Sequence, residues 1–227
     1  MKDVLCIIPA RKNSKGIRNK NIRKIGNKPL VYYSIDFAKK LNFIDKIIFS
    51  TDSKKYMSIA SKFYNFDKKL RPSRLAKNNS KSVDMAIYEI LRQKVKYKYL
   101  LLLQPTSPFR KVEDFKKAYK FLKSNNYDTI ITVKKVKEHP ILMHKIKNKN
   151  LFPYLKQKQK LFNRQEYPSL YYRAGSMYFT RIDTILKNKS YFGKKVKPII
   201  VKDKYEVNID EPIDFINAKH FLKNEKF

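Results

Sequence analysis

Six short runs of apolar residues recur along the chain and have the length of buried β-strands. They lie at residues 4–8, 46–50, 97–104, 129–133, 176–179 and 196–201. Continuous apolar runs of this length are typical of strands that are covered on both faces of a parallel sheet.

Amphipathic stretches with a helical period separate these runs. They cover residues 29–40, 54–64, 82–93, 113–122 and 211–222. Pro29 suits the first turn of a helix, and Glu211-Pro212 opens the last stretch in the same way. Because strands and helices alternate, the sequence predicts an α/β fold with a mainly parallel, doubly wound sheet. We find no repeat and no long linker, so a single domain over residues 1–227 is expected.

One segment, from about residue 141 to residue 163, fits neither period well. It is rich in Lys and Asn and carries isolated Leu, Phe and Tyr residues. A long irregular insertion in a compact domain is usually a functional loop or an interaction arm. A small hairpin arm that packs on a second subunit and a plain surface insertion both account for it.

The net charge of +34 suggests a protein that binds nucleic acid. The distribution of that charge does not support this class. The lysines are spread over every segment rather than gathered in one block, which argues against specific nucleic-acid binding. Cys6 is the only cysteine and lies in the first predicted strand, so an intrachain disulfide is impossible. The short apolar run that follows Met1-Lys2-Asp3 does not resemble a signal peptide, and no run could span a bilayer. The expectation is a cytoplasmic protein without membrane contact.

The most informative loop follows the first strand. Its cations and its glycine would lie at the carboxyl edge of the sheet, where open α/β sheets bind ligands. A cluster of positive charge with free backbone N–H groups suits a polyphosphate, although a solvated basic turn is the simpler alternative. The loop matches neither the P-loop nor the G-x-G-x-x-G pattern. Its members are Arg11, Lys12, Lys15, Gly16, Arg18 and Lys20.

Other strand ends carry further polar groups. Arg71, beside Pro72, and Ser82 at a predicted helix start suit a base edge or a phosphate. Gln104 follows a buried strand and begins a loop that two prolines restrict, so that its amide can read hydroxyl or amide groups. Asn208 and Asp210 share one side of an extended segment, and their oxygens suit Mg²⁺, although helix capping also explains Asp210.

In combination these motifs resemble those of the CMP-N-acylneuraminate (sialic acid) synthetases, or acylneuraminate cytidylyltransferases, which include legionaminic acid cytidylyltransferases. The resemblance rests on Pro-Ala-Arg-x-Asn-Ser-Lys-Gly at 9–16 with Lys-Asn at 20–21, Leu-Arg-Pro at 70–72, Leu-Gln-Pro-Thr-Ser-Pro at 103–108 and Asn-Ile-Asp at 208–210. It implies a Rossmann-like nucleotidyltransferase fold, usually homodimeric. It further implies an enzyme that joins CTP to a nine-carbon 2-keto-3-deoxy sugar acid, with Mg²⁺, and releases pyrophosphate.

The resemblance also assigns roles to residues, with Arg11, Lys20 and Asp210 as the catalytic ones. Residues that would hold CTP are Arg11, Asn13, Ser14, Lys15, Lys20 and Asn21 at the triphosphate, and Arg71 and Ser82 at the cytosine. Residues that would bind the sugar acid are Gln104, Arg164, Gln165, Arg173, Tyr191 and Phe192. Asp210, with Asn208, would bind the metal.

The chain departs from the family pattern at three places. The metal motif typically reads Asp-x-Asp, whereas this chain has Asn208 before Asp210. Ala174 stands at a sugar contact where an Asn commonly precedes the glycine. Ile141, Leu142 and Met143 follow Glu138-His139-Pro140 where a sialic-acid-specific member places a basic contact, so the sugar could be a relative such as legionaminate. A catalytically impaired homologue that acts as a binding subunit, and a basic nucleic-acid-binding protein, are the alternative readings.

Overall fold

A six-stranded sheet forms the centre of the computed structural model, which describes residues 1–14, 16–124, 126–155, 167–202 and 207–224. The order of its strands is β10-β6-β9-β5-β1-β4. Two small hairpins lie outside this sheet. The strands are β1 (Lys2–Pro9), β2 (Lys24–Ile25), β3 (Lys28–Pro29), β4 (Lys46–Ser50), β5 (Tyr97–Leu102), β6 (Thr129–Lys135), β7 (His144–Lys147), β8 (Asn150–Pro153), β9 (Tyr171–Arg181) and β10 (Val196–Ile200).

Strand direction confirms the mainly parallel sheet, with one exception. Strands β4, β1 and β5 pair in parallel, as do β6 and β10. Strand β9 lies antiparallel between β5 and β6, with Tyr178 opposite Leu102 and Tyr171 opposite Lys135. The beginning of β9 therefore lies at the same edge as the carboxyl ends of the other strands.

The predicted helices are present, and the described residues contain one helix that the sequence did not predict. The missed helix, α5, follows β9 without a break, and α2 ends before the predicted residue 64. None of the helices in the described ranges is long and apolar enough to span a membrane. The helices are α1 (Leu30–Lys39), α2 (Lys54–Ala60), α3 (Ser82–Leu91), α4 (Val112–Lys123), α5 (Ile182–Asn188) and α6 (Pro212–Asn224).

Apolar packing on both faces of the sheet explains the continuous apolar runs. Residues 4–8 of β1 have no exposed surface, and their side chains alternate between two core clusters. One cluster packs under α1, α2 and α4, and the other packs under α3 and α5. Cys6 lies in the first cluster as a free cysteine, and burial raises the pKa of its thiol. It is thus a small apolar core residue.

The irregular segment contains a β-hairpin. Strands β7 and β8 pair antiparallel across Asn148 and Lys149, both of which have positive φ, as a two-residue hairpin turn requires. Ile146 and Leu151 project from the hairpin with 77% and 65% of their surface exposed. Part of the predicted arm, residues 156–163, lies outside the described residues.

Candidate active-site cleft

An open cleft of about 890 Å³ lies at the edge where the parallel strands end and β9 begins. Most of the described residues to which a ligand role was assigned line it, although they come from distant parts of the chain. They are Arg11, Ser14, Lys20, Asn21, Arg71, Ser82, Gln104, Arg173, Asn208 and Asp210. The sheet edge therefore brings the separate motifs together.

The loop after β1 is held in shape by side chains of its surroundings. The carboxylate of Asp52 accepts a hydrogen bond from the Lys12 N–H at 2.8 Å, and the Tyr56 hydroxyl donates to the Lys12 carbonyl. Asn21 is buried and donates to the Arg11 carbonyl at 3.1 Å. Asn21 thus shapes the loop, and Asp52 anchors it instead of capping α2, which is capped by Ser53.

Lys20 links this loop to the far end of the chain. Its ammonium group donates to the Asp210 carboxylate at 2.9 Å and to the Ile209 carbonyl at 2.8 Å. The Lys20 side chain is 11% exposed and the Asp210 side chain 62% exposed. A cation and an open carboxylate therefore lie side by side in the cleft.

The backbone approaches this ion pair closely at Gly16. A Cβ atom there would lie 2.7 Å from the Asp210 carbonyl oxygen, closer than side-chain contacts allow. Only a glycine lets the loop and the segment before α6 meet at this distance.

Asp210 does not cap α6. The Asp214 carboxylate accepts hydrogen bonds from the N–H groups of Asp210 and Glu211, at 2.8 and 2.7 Å. The residue directly before α6 is Glu211, and the Asp210 carboxylate accepts from Lys20 and Asn208, so its side chain is left to face the cleft. Asn208 donates to this carboxylate through its side-chain amide.

Arg71 offers a buried donor to the middle of the cleft. The residue is 6% exposed, and its Nε has no hydrogen-bond partner in the described part of the chain. Burial lowers the pKa of Arg71, whereas the negative charges of Asp52 and Glu89 act in the opposite direction. Ser82, the first residue of α3, lies in the same part of the cleft wall.

Gln104 and Arg173 also line the cleft, from the loop after β5 and from β9. Gly175, two residues after Arg173, has a φ of 77°. A Cβ atom at Gly175 would lie 3.1 Å from the Gln104 side-chain oxygen. The Arg173 guanidinium lies over the Phe192 ring, 5.4 Å from its centre. Phe192 thus supports Arg173 from behind the cleft wall.

Three assigned residues are described but do not line the cleft. They are Asn13, which is exposed, and Tyr191 and Phe192. Tyr191 is 8% exposed, and its hydroxyl donates to the Ser82 carbonyl at 2.7 Å. Its hydrogen bond makes Tyr191 a support for the start of α3. The assignments to Lys15, Arg164 and Gln165 lie outside the described residues.

For some of the residues that line the cleft, no role was predicted from the sequence. Tyr178 faces the cleft from the middle of β9, and burial raises the pKa of its hydroxyl. Thr106 lines the cleft within the loop after β5, and its carbonyl accepts from the Ile209 N–H at 2.7 Å. Strand alternation could have placed Tyr178 on one face, but not opposite a particular loop.

Comparisons with known proteins identify similar chains. A family model described as "Cytidylyltransferase" matches residues 5–227. An N-acylneuraminate cytidylyltransferase of Streptococcus agalactiae serotype III (strain NEM316) is 30% identical over 94% of the chain, which spans only 52% of that protein. A CMP-N,N'-diacetyllegionaminic acid synthase of Legionella pneumophila subsp. pneumophila (strain Philadelphia 1) is 31% identical over 97% of the chain and 96% of its own length.

A solved structure shares the fold. A CMP:2-keto-3-deoxy-manno-octonic acid synthetase complexed with CTP superposes with a TM-score of 0.74. The alignment covers 99% of this chain and all of the other, at 12% identity. The Rossmann-like nucleotidyltransferase architecture expected from the sequence is therefore confirmed.

Proposed function

The chain belongs to the cytidylyltransferase family, and on that basis we propose that it activates an acidic nine-carbon 2-keto-3-deoxy sugar with CTP. The anomeric hydroxyl of the sugar attacks the α-phosphorus of CTP. A bond from this phosphorus to the sugar oxygen forms, while its bond to the pyrophosphate oxygen breaks. The hydroxyl proton leaves to the solvent, and the products are the CMP-sugar and pyrophosphate.

One observation carries the proposal: a single cleft gathers cations from separate parts of the chain. Arg11 and Lys20 come from the loop after β1, and Arg173 comes from β9. A triphosphate and a sugar carboxylate are both anionic, so such a cleft suits both substrates. The relatives named for sialic and legionaminic acids support the same pair of substrates.

The residues would act mainly by position and charge, as is usual in transfers at phosphorus. Arg11 and Lys20 would neutralise the triphosphate, with Asn13, Ser14 and Lys15 from the same loop. Asn21 would keep that loop in shape. The buried Nε of Arg71, with Ser82, would hold the cytosine.

At the sugar end, Gln104 would bind hydroxyl or amide groups, and Arg173 would bind the carboxylate. Arg164 and Gln165 are proposed for the same half of the site on the family resemblance alone. Phe192 would act indirectly, through its contact with Arg173.

Asp210 and Asn208 would hold Mg²⁺ when CTP is bound. The described residues include no group of three or more His, Cys, Asp or Glu side chains suited to a metal. Asp210 fits Mg²⁺, because this ion commonly takes one or two carboxylates and completes its shell with water and substrate phosphates. Asn208 would have to turn its side-chain oxygen toward the ion, since its NH2 group faces Asp210. When bound, it would supply positive charge to the triphosphate.

The β7–β8 hairpin would form a homodimer contact, and its exposed Ile146 and Leu151 support this. Ile146→Asp should then shift the protein from dimer to monomer in light scattering. An unchanged mass would argue for a plain surface hairpin.

A cytoplasmic location suits an enzyme that consumes CTP.

Pyrophosphate release tests the activity. The purified protein is incubated with Mg²⁺, each of the four ribonucleoside triphosphates, and sialic, legionaminic, pseudaminic or 3-deoxy-octulosonic acid. We expect release with CTP and at least one nine-carbon acid, and Arg71→Met should raise the KM for CTP. If no acid leads to pyrophosphate release, the proposed enzymatic activity is refuted and the alternative of a binding subunit remains.

A further inference from the structure

Arg110 places a guanidinium group inside the protein, directly behind the sugar end of the cleft. The residue is 7% exposed, and it forms none of the salt bridges found among the described residues. Burial lowers its pKa to about 9, which still leaves the group charged at neutral pH. A buried cation without a carboxylate partner is costly, so its hydrogen bonds must compensate.

Those hydrogen bonds reach three different elements. Nη2 donates to the Gln104 carbonyl at 2.6 Å, Nε donates to the Ser176 carbonyl at 3.0 Å, and Nη1 donates to the Ser34 hydroxyl of α1 at 3.1 Å. The guanidinium thus joins the loop after β5 to strand β9 and to α1. A guanidinium presents its donors in a rigid planar fork, so it can hold three acceptors in fixed directions at once.

Two of the acceptors belong to neighbouring strands of the sheet. Gln104 follows β5 and lines the cleft, and Ser176 of β9 directly follows the lining residues Ala174 and Gly175. These residues lie at the limit of contact, because a Cβ atom at Gly175 would be 3.1 Å from the Gln104 side-chain oxygen. The spacing of the two backbones beyond the pair Leu102 and Tyr178 therefore decides where Gln104 lies relative to the start of β9.

We propose that Arg110 is a positioning residue that fixes the spacing between Gln104 and the start of β9, and thereby sets the shape of the sugar-acid half of the site. This inference rests on the proposed function, because it takes Gln104 and Arg173 as the sugar contacts. It assigns Arg110 no contact with a substrate. Among the described residues, Arg110 donates no hydrogen bond to the loop after β1, on which the CTP half is built. The CTP half is linked to the loop after β5 through the hydrogen bond from the Ile209 N–H to the Thr106 carbonyl, so it should depend on Arg110 less than the sugar half does.

The test compares Arg110→Lys and Arg110→Met with the wild type. Initial rates are measured with the sugar acid varied at saturating CTP, and then with CTP varied at saturating sugar acid. We expect the KM for the sugar acid to rise about 10-fold to 100-fold in Arg110→Met and less in Arg110→Lys, because shifts near 1 Å have effects of this size. The KM for CTP should stay within about twofold. Arg181→Lys, at the far end of β9, is the matched control and should change neither constant.

Hydrogen exchange gives a readout that does not need activity. The Ser107 N–H donates to the same Gln104 carbonyl that Arg110 holds. Exchange of amides in residues 104–107 and 174–176 should therefore speed up in both Arg110 variants, while amides in residues 16–22 stay unchanged. If Arg110→Met does not fold, the same measurements are made on Arg110→Lys and Ser34→Ala.

The outcomes separate the two proposals. Equal rises in both KM values, or unchanged sugar KM with unchanged exchange at 104–107, would overturn the role of Arg110. A wild type that is inactive with every sugar acid would refute the proposed function instead. The exchange pattern would then still decide whether Arg110 sets the spacing.

Discussion

Gly16→Ala tests whether the loop after β1 and Asp210 work as one unit. A Cβ atom at Gly16 would lie 2.7 Å from the Asp210 carbonyl oxygen, whereas ordinary contacts begin at 3.4 Å. The loop and the segment before α6 must then separate by about 0.7 Å, the difference between these distances. This movement would stretch the 2.9 Å ion pair between Lys20 and Asp210.

The expected size of the effect follows from that displacement. Misplacement of catalytic groups by 1 Å can lower a rate about 100-fold, so 0.7 Å should lower kcat about 10-fold to 30-fold. Overpacking should also lower the free energy of unfolding by about 1–3 kcal/mol. Both effects arise from the same added methyl group.

The assay is pyrophosphate release at saturating CTP and sugar acid, with thermal unfolding measured on the same samples. Gly193→Ala is the control, because its Cβ would overlap the Asp128 side chain at a place that does not line the cleft. It should lower the melting temperature and leave kcat unchanged. A Gly16→Ala protein with kcat within twofold of wild type would refute the reasoning.

Three further substitutions test the assignment of single residues. Lys20→Ala should lower kcat/KM at least about 100-fold in steady-state kinetics, because it removes the cation beside Asp210. Near-normal activity would refute the catalytic role proposed for Lys20. Asn208→Asp adds a second carboxylate beside Asp210 and should lower the half-saturating Mn²⁺ concentration several-fold in electron paramagnetic resonance titrations; unchanged binding would show that residue 208 is no ligand. Tyr191→Phe removes the hydrogen bond to Ser82 and should cost about 1–3 kcal/mol in denaturant unfolding. Its sugar KM should not change, and a raised value would restore Tyr191 as a sugar contact.

The fold could be predicted from the sequence wherever burial was continuous. The β1 run is covered on both faces and has no exposed residue, so its apolar pattern was unambiguous. Strand β9 was predicted only at 176–179, because its first residues, such as Tyr171 and Arg173, are exposed. The antiparallel direction of β9 could not be predicted, because a run of apolar residues is the same whichever way the strand runs in the sheet. Helix α5 was missed because it begins directly where β9 ends.

The part of the candidate site that could be predicted consists of residues in short local motifs. Arg71 and Gln104 stand in short motifs next to strands, and the sheet edge brings them into one cleft. The hydrogen bonds of Asp214 and Arg110 could not be predicted, because each depends on which backbone groups the fold brings near the side chain. Long-range contacts of this kind have no periodic signature in the sequence.

The antiparallel course of β9 has a consequence for how this protein can vary. Strand β6 ends at the cleft edge and β9 begins there, so the chain between them leaves and re-enters the sheet on the same side. Such an excursion can lengthen, shorten or change its sequence without shifting the register of any strand. The β7–β8 hairpin belongs to it, and the first residues of β9 carry Arg173. The proposed function then predicts that related chains change their sugar preference in this one stretch and keep the loop after β1 unaltered.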